Sequence, residues 1–524
     1  MALLALSRHL SFHARGDAAY AWHGLTGDVA EMSRDVLALL LAFEPAADEA
    51  IVLGAPPAGL TREQVDEFVP VLRARRFLVH APAGGRVADE AAPLLVGFPR
   101  VPRVAVYRRT EGKEGEPPRI TVFARGVPIE LDPLTAALFD RCTGERTLGQ
   151  VLGDAGPSAL EPLLRLARAD AAALKILPKA VSLGGVQLNP SAESTMPYPR
   201  LIDARAYAAG GPAPEHEEQS ESTLSQLFSE PHPSLKGRDF GGALASGLLL
   251  RGAFKEVRGR AARMLEVGGG PGVVGEAMRA AFSSAPQLGE LKVRQVNLEL
   301  APALARAQRS RGLAVARGDA RLLPARAEGL DLIVANEMAG ELGTGIDPAA
   351  PAGSAPGPAE SAAPRLINHG ALQLVREAAA ALAPGGILYL SEFGDPKADP
   401  LRSDHPGREQ WSIRFADLQA EATRCGLGAR VYPLGEVIGL DGNHQALSTT
   451  HASYAALRAL FAQAGLALEK RAWLRSEIEK LCEGKLDLSE VHGLQWTPLS
   501  ERTMGLSPRQ FWALIATKPA RTLH

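Results

Sequence analysis

The chain has 524 residues, of which 46% are hydrophobic and 22% charged, and its formal net charge is −2. This length predicts about two to four domains, and the composition is typical of a folded globular protein rather than a fibrous or disordered one. Because binding to duplex nucleic acid needs a basic surface and the arginines here are dispersed, we expect no nucleic-acid partner.

The three cysteines, Cys142, Cys425 and Cys482, are far apart and form no CxxC pair. This spacing argues against both a disulfide framework and a zinc site. Arg8 and His9 interrupt the short apolar run at the N-terminus, so we predict no signal peptide, and no apolar window is long enough to predict a membrane helix. We therefore expect a cytoplasmic protein with no membrane partner and no bound metal.

The first region, residues 1–95, mixes short strands and helices. Alternating residues predict strands at Leu10–Phe12 and Ala19–Trp22. Apolar residues at helical spacing predict a helix over Ser33–Phe43, and a second helix begins at Thr61, where following acidic and amide residues are typical of a cap.

The second region, residues 100–180, begins with a predicted strand pair at Val104–Tyr107 and Ile120–Phe123. A helix follows from Asp132 to Phe139, then a short helix, and then a helix over Ala159–Leu174. Strands followed by three helices and a further strand predict a small winged-helix-like α+β module.

Within this second region, the stretch "LDPLTAALFDRCTGERTLGQVL" resembles the PqqD-like peptide-recognition modules found beside enzymes that modify ribosomal peptides. The first region, with "HGLTGDVAEMSRDVLALL" and "LRARRFLV", resembles a weaker copy. The resemblance implies that both regions recruit a peptide or protein substrate. The alternative is a structural winged-helix domain that forms a homodimer.

Residues 181–222 show little periodicity and are predicted to form a linker. In residues 223–524, strands alternate with helices. This alternation predicts an α/β domain with a Rossmann-like parallel sheet and helices on both faces.

A glycine-rich turn is the central signal of this last domain. The predicted strand Met264–Val267 contains Glu266 and runs into Gly268, Gly270 and Gly272, after which a helix is predicted. A dinucleotide site would require G-x-G-x-x-G instead. The pattern E-x-G-x-G-x-G resembles motif I of class I S-adenosyl-L-methionine (SAM)-dependent methyltransferases, which implies a SAM cofactor.

Further elements of that family follow in the same order. A strand over Lys292–Leu298 precedes Glu299, which is placed to accept bonds from two ribose hydroxyls. The resemblance implies that Asp319 lies by the adenine amino group, with the amide of Ala320 at the ring. A strand over Leu330–Ala335 leads to Asn336, and a Pro-Gly-Gly turn precedes a strand over Ile387–Leu390. The predicted cofactor-binding residues are Glu266, Gly268, Gly270, Gly272, Glu299, Asp319, Ala320 and Asn336.

Four further stretches, "VNLELAPALARAQ", "VANEMAGEL", "SEFGD" and "HPGREQWSIRFADLQAEATRCGL", resemble the MidA-like family, which includes an arginine methyltransferase that helps to assemble respiratory complex I. This resemblance implies an arginine acceptor. The chain departs from the family at Glu392 and Phe393, where the family has Asp–Tyr, and at Gln410–Ser412, where it has Asp-x-Thr. It also carries a low-complexity insert at Gly343–Pro364.

Glu337 and Glu341 are the predicted acceptor-binding residues. Two carboxylates could grip a planar guanidinium and orient one nitrogen toward the methyl group. If the segment begins a helix, residues four apart face the same side. Alternatively, Glu337 binds the methionine portion of SAM or caps a helix, and Glu341 is solvated.

His405 and His444 are candidate general bases if the acceptor is a hydroxyl, carboxyl or amine. Their polar surroundings are equally typical of surface histidines. Three functions remain open at this point: a methyltransferase of peptide or protein side chains with arginine favoured, a small-molecule O- or N-methyltransferase with a dimerising N-terminal region, and a non-catalytic peptide-binding scaffold.

Overall fold

The structure, a computed structural model, describes residues 3–15, 18–23, 28–81, 95–113, 116–124, 126–155, 159–169, 173–177, 179–183, 186–187, 200–210, 223–346, 365–403, 410–449, 451–499 and 511–521. These residues form two units. The first contains the described residues before position 218 together with Leu447–Glu469 and Arg475–Trp496, and the second contains the remainder. Two segments of the last predicted domain thus belong to the first unit.

The first unit is a mixture of short strands and helices. Its strands are Leu3–Leu6, Leu10–Arg15, Ala18–His23, Asp28–Met32, Ala47–Asp48, Leu78–Ala81, Phe98–Arg100, Tyr107–Thr110, Arg119–Ala124, Val127–Glu130, Lys175–Leu177, Ser182–Leu183, Val186–Gln187, Arg200–Leu201 and Val491–His492. Its α-helices are Arg34–Leu41, Glu49–Gly54, Arg62–Ala74, Pro133–Phe139, Leu148–Leu152, Leu160–Ala169, Ala204–Ala208, His451–Gln463 and Arg475–Cys482.

Side-chain caps begin the helices of this unit where the sequence predicts them. Thr61 accepts a bond from the backbone N–H of Gln64, and the Gln64 side chain accepts one from the N–H of Thr61, which completes a capping box. Ser33 accepts a bond from the N–H of Val36, and Asp132 accepts bonds from the N–H groups of Leu134 and Thr135, so each caps the helix that follows it. Each cap satisfies backbone donors that have no partner within the helix.

The strand predicted at Val104–Tyr107 is wrong in position. The observed strand is Tyr107–Thr110, because a turn in which the N–H of Ala105 donates to the carbonyl of Pro102 occupies the preceding residues. This strand pairs on one side with Arg119–Ala124 and on the other with Val491–His492. The winged-helix-like and PqqD-like character of the two N-terminal regions stays a prediction.

Within the described residues, the main sheet of the second unit has eight strands. Seven of them form one continuous path and are labelled in chain order: β1 (Ala262–Val267), β2 (Val293–Glu299), β3 (Val315–Arg317), β4 (Leu330–Asn336), β5 (Leu382–Asp395), β6 (Gly428–Pro433) and β7 (Phe511–Thr517). The eighth, Ile413–Arg414, pairs with β5. The helices of this unit are α1 (Leu224–Leu227), α2 (Phe240–Leu250), α3 (Val273–Ser284), α4 (Pro302–Ser310), α5 (His369–Ala381), α6 (Phe415–Arg424) and α7 (Leu434–Ile438). Short 3-10 helices lie at Pro233–Leu235, Pro286–Leu288 and Ala339–Glu341. Shorter strands lie at Gly345–Ile346, Leu366–Ile367, Arg402–Ser403, Gln410–Trp411, Ile413–Arg414, Gln445–Leu447 and Trp496–Pro498.

Within the described residues, the sheet has the order β3-β2-β1-β4-β5-β7-β6. The strands from β3 to β5 pair in parallel, whereas β7 pairs antiparallel with both β5 and β6. The predicted α/β class with a Rossmann-like sheet is therefore confirmed. The predicted Pro-Gly-Gly turn is part of β5, where the pairing with β4 shifts register after Leu330.

Alternate residues of the central strands enter two different hydrophobic cores. Met264 and Leu332 pack in the core that includes α2 and α3, while Leu265 and Ile333 pack in the core that includes α5 and α6. Successive side chains on a strand point to opposite faces, so a sheet covered on both faces needs a nearly continuous apolar run. Burial on both faces holds the carboxyl ends of β1, β2 and β4 along one edge.

An ion pair joins the amino-terminal ends of β1 and β4. The carboxylate of Asp331 accepts bonds of 2.6 Å from both Nη atoms of Arg260 and one of 2.8 Å from the backbone N–H of Arg263. Burial acts to raise the pKa of Asp331, but the bonds from Arg260 and Arg263 outweigh it and hold the pKa below its ordinary value.

We expect Asp331→Asn to lower the free energy of unfolding by about 2 kcal/mol at neutral pH, because the amide cannot accept both guanidinium bonds. Since the pKa is lower in the folded protein, this contribution is present above about pH 4 and is lost as the pH falls through the folded pKa. Urea unfolding at neutral and acidic pH measures both effects. Asp399→Asn, at an exposed carboxylate paired with Arg414, is the control, and an equal loss in the two variants would contradict the prediction.

Candidate functional site

The glycine turn after β1 has left-handed backbone at three positions. The φ angles are 66° at Gly268, 54° at Gly270 and 86° at Gly272. A Cβ atom at Gly272 would stand 2.8 Å from Leu313 and 3.0 Å from Gln308, whereas one at Gly270 would meet no heavy atom within 4 Å. The turn is therefore packed tightly on the side of α4 and open at Gly270, where a ligand can approach the backbone.

Glu266 lies beneath this turn and is buried. Its Oε2 accepts bonds of 2.7 Å from Nδ2 of Asn297 and 3.3 Å from Nε2 of Gln295. A Cβ atom at Gly275, the third residue of α3, would stand 1.9 Å from the same oxygen, so any side chain there would displace the Glu266 carboxylate. Burial raises the pKa of Glu266 to about 7, and the nearby charge of Glu299 adds to this effect. Glu266 thus supports the turn from inside.

Glu299 ends β2 at the same edge of the sheet and is nearly buried. One carboxylate oxygen accepts a bond of 3.0 Å from the N–H of Ala301, and the other lies 3.4 Å from Nε2 of Gln308. A carboxylate can accept about four hydrogen bonds. Acceptor capacity therefore remains for a ligand with two hydroxyl groups.

Asp319 and Ala320 follow β3. The Asp319 carboxylate faces Arg321, whose Nη2 lies 2.6 Å away, and this bond lowers the pKa of Asp319. Ala320 is buried and belongs to the core beneath this edge. The three strand ends thus bring Gly270, Glu299 and Ala320 to one edge of the sheet.

At the end of β4, Asn336 and Glu337 are joined by a bond of 3.2 Å from Asn336 Nδ2. The Oδ1 atom of Asn336 accepts a bond of 2.8 Å from the hydroxyl of Ser391 on β5. Glu337 has a φ of 51°, and its Oε2 accepts a bond of 3.0 Å from the N–H of Leu224, the first residue of α1. Burial raises the pKa of Glu337 to about 7.

Glu337 and Glu341 would face the same side only if a helix began at this segment, and that condition is not met. Only Ala339–Glu341 is helical, as a single 3-10 turn, and the left-handed backbone at Glu337 separates it from that turn. Glu337 is partly buried while Glu341 is exposed.

A third carboxyl group, Glu392, was not among the predicted site residues. It is 1% exposed near the end of β5 and accepts bonds of 3.0 Å from the N–H of Gly340 and 2.9 Å from its neighbour Phe393. Burial raises the pKa of Glu392 to about 8, and the charges of Glu337 and Glu341 raise it further. In the sequence, the available signal was that Glu392 is an acid that directly follows Ser391. Only the pairing of β4 with β5, which sets Ser391 beside Asn336, brings this acid to the site.

Of the two candidate bases, His405 and His444, the structure describes the second. His405 lies outside the described residues. His444 follows α7 in a loop, where its Nε2 is 3.6 Å from the carboxylate of Asp441, so it does not stand at the end of a central strand. A role for either histidine stays a prediction.

Within the part of the chain that the structure describes, no group of three or more His, Cys, Asp and Glu side chains is arranged to hold a metal ion. The helices of that same part include none with the length and hydrophobicity required for a membrane span. Cys142, Cys425 and Cys482 are free thiols.

No family model and no curated protein matches the sequence. Among solved structures, the chain is similar to a SAM-dependent methyltransferase from Methanosarcina mazei, at 11% identity over 51% of this chain and 96% of that one, with a TM-score of 0.27. It is also similar to the cyclase SpnF, at 14% identity over 53% and 82% of the two chains, with a TM-score of 0.28.

A third similar structure is phosphoethanolamine N-methyltransferase 2 of Haemonchus contortus in complex with S-adenosyl-L-methionine. The identity is 13% over 57% of this chain and 58% of that one, with a TM-score of 0.29. Likenesses at this level carry no inference about activity, which has to come from the geometry of this chain.

We expect Glu266→Gln to flatten the pH dependence of stability. The pKa of Glu266 is about 7 in the folded protein against an ordinary 4.5, so the folded state holds the proton more tightly than the unfolded state. The stability contributed by this group is therefore present below about pH 4.5 and lost as the pH rises through about 7. Urea unfolding measures the free energy of unfolding at about pH 5 and about pH 7.5. Its decrease between these two pH values should be smaller for the variant than for the wild-type protein, by about 2 kcal/mol.

Glu276→Gln, at an exposed acid of α3 paired with Arg311, is the matched control and should retain the full decrease. An identical decrease in Glu266→Gln would show that the carboxyl group does not titrate in this window.

Proposed function

We propose that the chain is a SAM-dependent methyltransferase whose cofactor lies at the carboxyl ends of β1, β2 and β3. The observation that carries the proposal is that the open glycine turn and Glu299 stand at adjacent strand ends of one sheet edge. In doubly wound sheets, ligands bind at this edge, where the strand order reverses, and here it reverses between β1 and β4.

The sheet order also supports this proposal over a dinucleotide site. The dinucleotide-binding order is 3-2-1-4-5-6 with parallel strands. In this chain an antiparallel β7 lies between β5 and β6. The sheet therefore departs from the dinucleotide-binding order, and the glycine pattern resembles motif I of class I methyltransferases instead.

The residues at this edge fit SAM. Glu299 retains acceptor capacity for both ribose hydroxyls, and the open backbone at Gly270 leaves space for the methionine portion. Asp319 and Ala320 would flank the adenine. When bound, SAM supplies an electrophilic methyl group on a cationic sulfonium, and the residues of the chain align the nucleophile with it.

We further propose that the acceptor is a side chain of a peptide or protein, with arginine favoured. Support comes from the carboxyl groups of Glu337 and Glu392, which end neighbouring strands and share an electrostatic environment with Glu341. Both carboxyl groups have raised pKa values, and a cation that binds them would favour their ionised forms. A guanidinium is such a cation and would itself be oriented by the carboxylates.

The roles of the remaining parts follow from this proposal. The two N-terminal regions would recruit the substrate. The alternative is that these regions form a homodimer. Glu337 also accepts the first N–H of α1, so an arriving acceptor would compete with α1 for this carboxylate.

We expect Glu299→Gln to weaken SAM binding by about tenfold to a hundredfold, because an amide can accept only one of two ribose bonds and carries no charge. Isothermal titration calorimetry with SAM measures the dissociation constant. Glu276→Gln on α3 is the matched control and should bind like the wild-type protein. If the wild-type protein does not bind SAM at near-millimolar concentration, the proposed function fails.

We expect Glu337→Gln and Glu392→Gln to reduce methyl transfer to arginine peptides by about tenfold or more each, with SAM affinity changed little, because each removes a charge-assisted bond to the acceptor. Mass spectrometry with isotopically labelled SAM and a library of single-arginine peptides measures transfer. Glu436→Gln, at an exposed acid of α7, is the control. Wild-type transfer to a hydroxyl or carboxyl group instead would contradict the arginine assignment.

A further inference from the structure

Gln308 lies between the two halves of the proposed cofactor site. Its side chain on α4 is completely buried. The amide nitrogen Nε2 donates to the carbonyl oxygen of Gly270 at 2.8 Å and lies 3.4 Å from Oε2 of Glu299. One amide group thus bridges the glycine turn after β1 and the acid at the end of β2.

The other end of this amide has no partner among the described residues. Oε1 of Gln308 is buried without a hydrogen bond in the part of the chain that the structure describes. Exchanging the oxygen and nitrogen would set the oxygen against two acceptors, the Gly270 carbonyl and the Glu299 carboxylate, so the orientation is determined by these two groups. A buried acceptor without a partner costs about 1–3 kcal/mol.

An apolar side chain of the same shape would avoid that cost. Met has the same unbranched length as Gln and contains no orphan acceptor. Packing alone therefore does not favour a glutamine at position 308. What the glutamine adds is the pair of hydrogen bonds to Gly270 and Glu299. Unsatisfied buried groups of this kind call for a role beyond packing.

The packing around the bridge is tight. A Cβ atom at Gly272 would stand 3.0 Å from Cγ of Gln308 and 2.8 Å from Leu313. The helix α4 therefore contacts the turn directly at Gly272 while its glutamine holds Gly270. Displacing the Gln308 side chain would release the turn and Glu299 together.

We propose that Gln308 is a positioning residue that sets the distance between the glycine turn and Glu299, and so between the parts of the site that hold the methionine and ribose portions of SAM. This inference rests on the proposed function. Gln308 touches neither portion in our assignment and acts only through Gly270 and Glu299. Its effect should therefore be greatest for a ligand that spans both.

The test is Gln308→Met, studied by calorimetry with two probes, SAM and adenosine, alongside thermal unfolding without ligand. We expect the dissociation constant for SAM to rise about tenfold and that for adenosine to rise no more than about threefold, as expected for the loss of about one charge-assisted bond. The unfolding midpoint should change little, because removal of the orphan acceptor offsets the loss of the bonds to Gly270 and Glu299. A residue with only a structural role would lower the midpoint and leave the ratio of the two constants unchanged.

Gln373→Met is the matched control, since Gln373 on α5 also donates to a glutamate, at 3.0 Å, and should leave both constants unchanged. If the wild-type protein binds SAM and Gln308→Met binds it equally well, or loses affinity for both probes by the same factor, this inference is overturned while the proposed function stands. If the wild-type protein binds neither probe, both are overturned.

Discussion

The buried carboxyl group of Glu266 is the constraint on which the site depends. It accepts hydrogen bonds from Asn297 and Gln295 on β2 and lies so close to the first turn of α3 that a side chain at position 275 would displace it. One side chain thereby links β1, β2 and α3 at the point where the chain turns. Because its desolvation raises its pKa, this support costs stability near neutral pH, and the hydrogen bonds offset that cost.

The sheet edge concentrates carboxyl groups in two places. Glu266 and Glu299 lie around the glycine turn, while Glu337 and Glu392 lie at the ends of β4 and β5. Burial raises the pKa of Glu266 and of Glu392, the charge of a neighbouring carboxylate adds to each shift, and a cation would favour the ionised forms. A sulfonium donor and a guanidinium acceptor are both cations, so one electrostatic arrangement suits the two ligands that we propose.

The sequence predicted the parts of the fold that local chemistry decides. The cap at Thr61 and the helix after Asp132 follow from backbone donors that a nearby side chain can satisfy. The strand before the glycine turn could be predicted from its run of apolar residues and from the turn residues after it. The strand predicted at Val104–Tyr107 lies instead at Tyr107–Thr110, because a turn at Pro102–Ala105 precedes it, and one of its partners in the sheet is Val491–His492, far along the chain. Pairing at such separation leaves no periodic trace in either segment.

The order of motifs from Glu266 to Asn336 was determined by the sequence alone. Glycines and acids that follow apolar runs mark the ends of strands, and they do so whichever strands pair with one another. Only the tertiary structure decided which of these side chains meet. It separated Glu337 from Glu341 through a left-handed backbone at Glu337, added Glu392 through the pairing of β4 with β5, and set Gln308 between Gly270 and Glu299. Hydrogen bonds between segments far apart in sequence depend on strand order and on packing against both faces of the sheet, and neither can be read from local spacing.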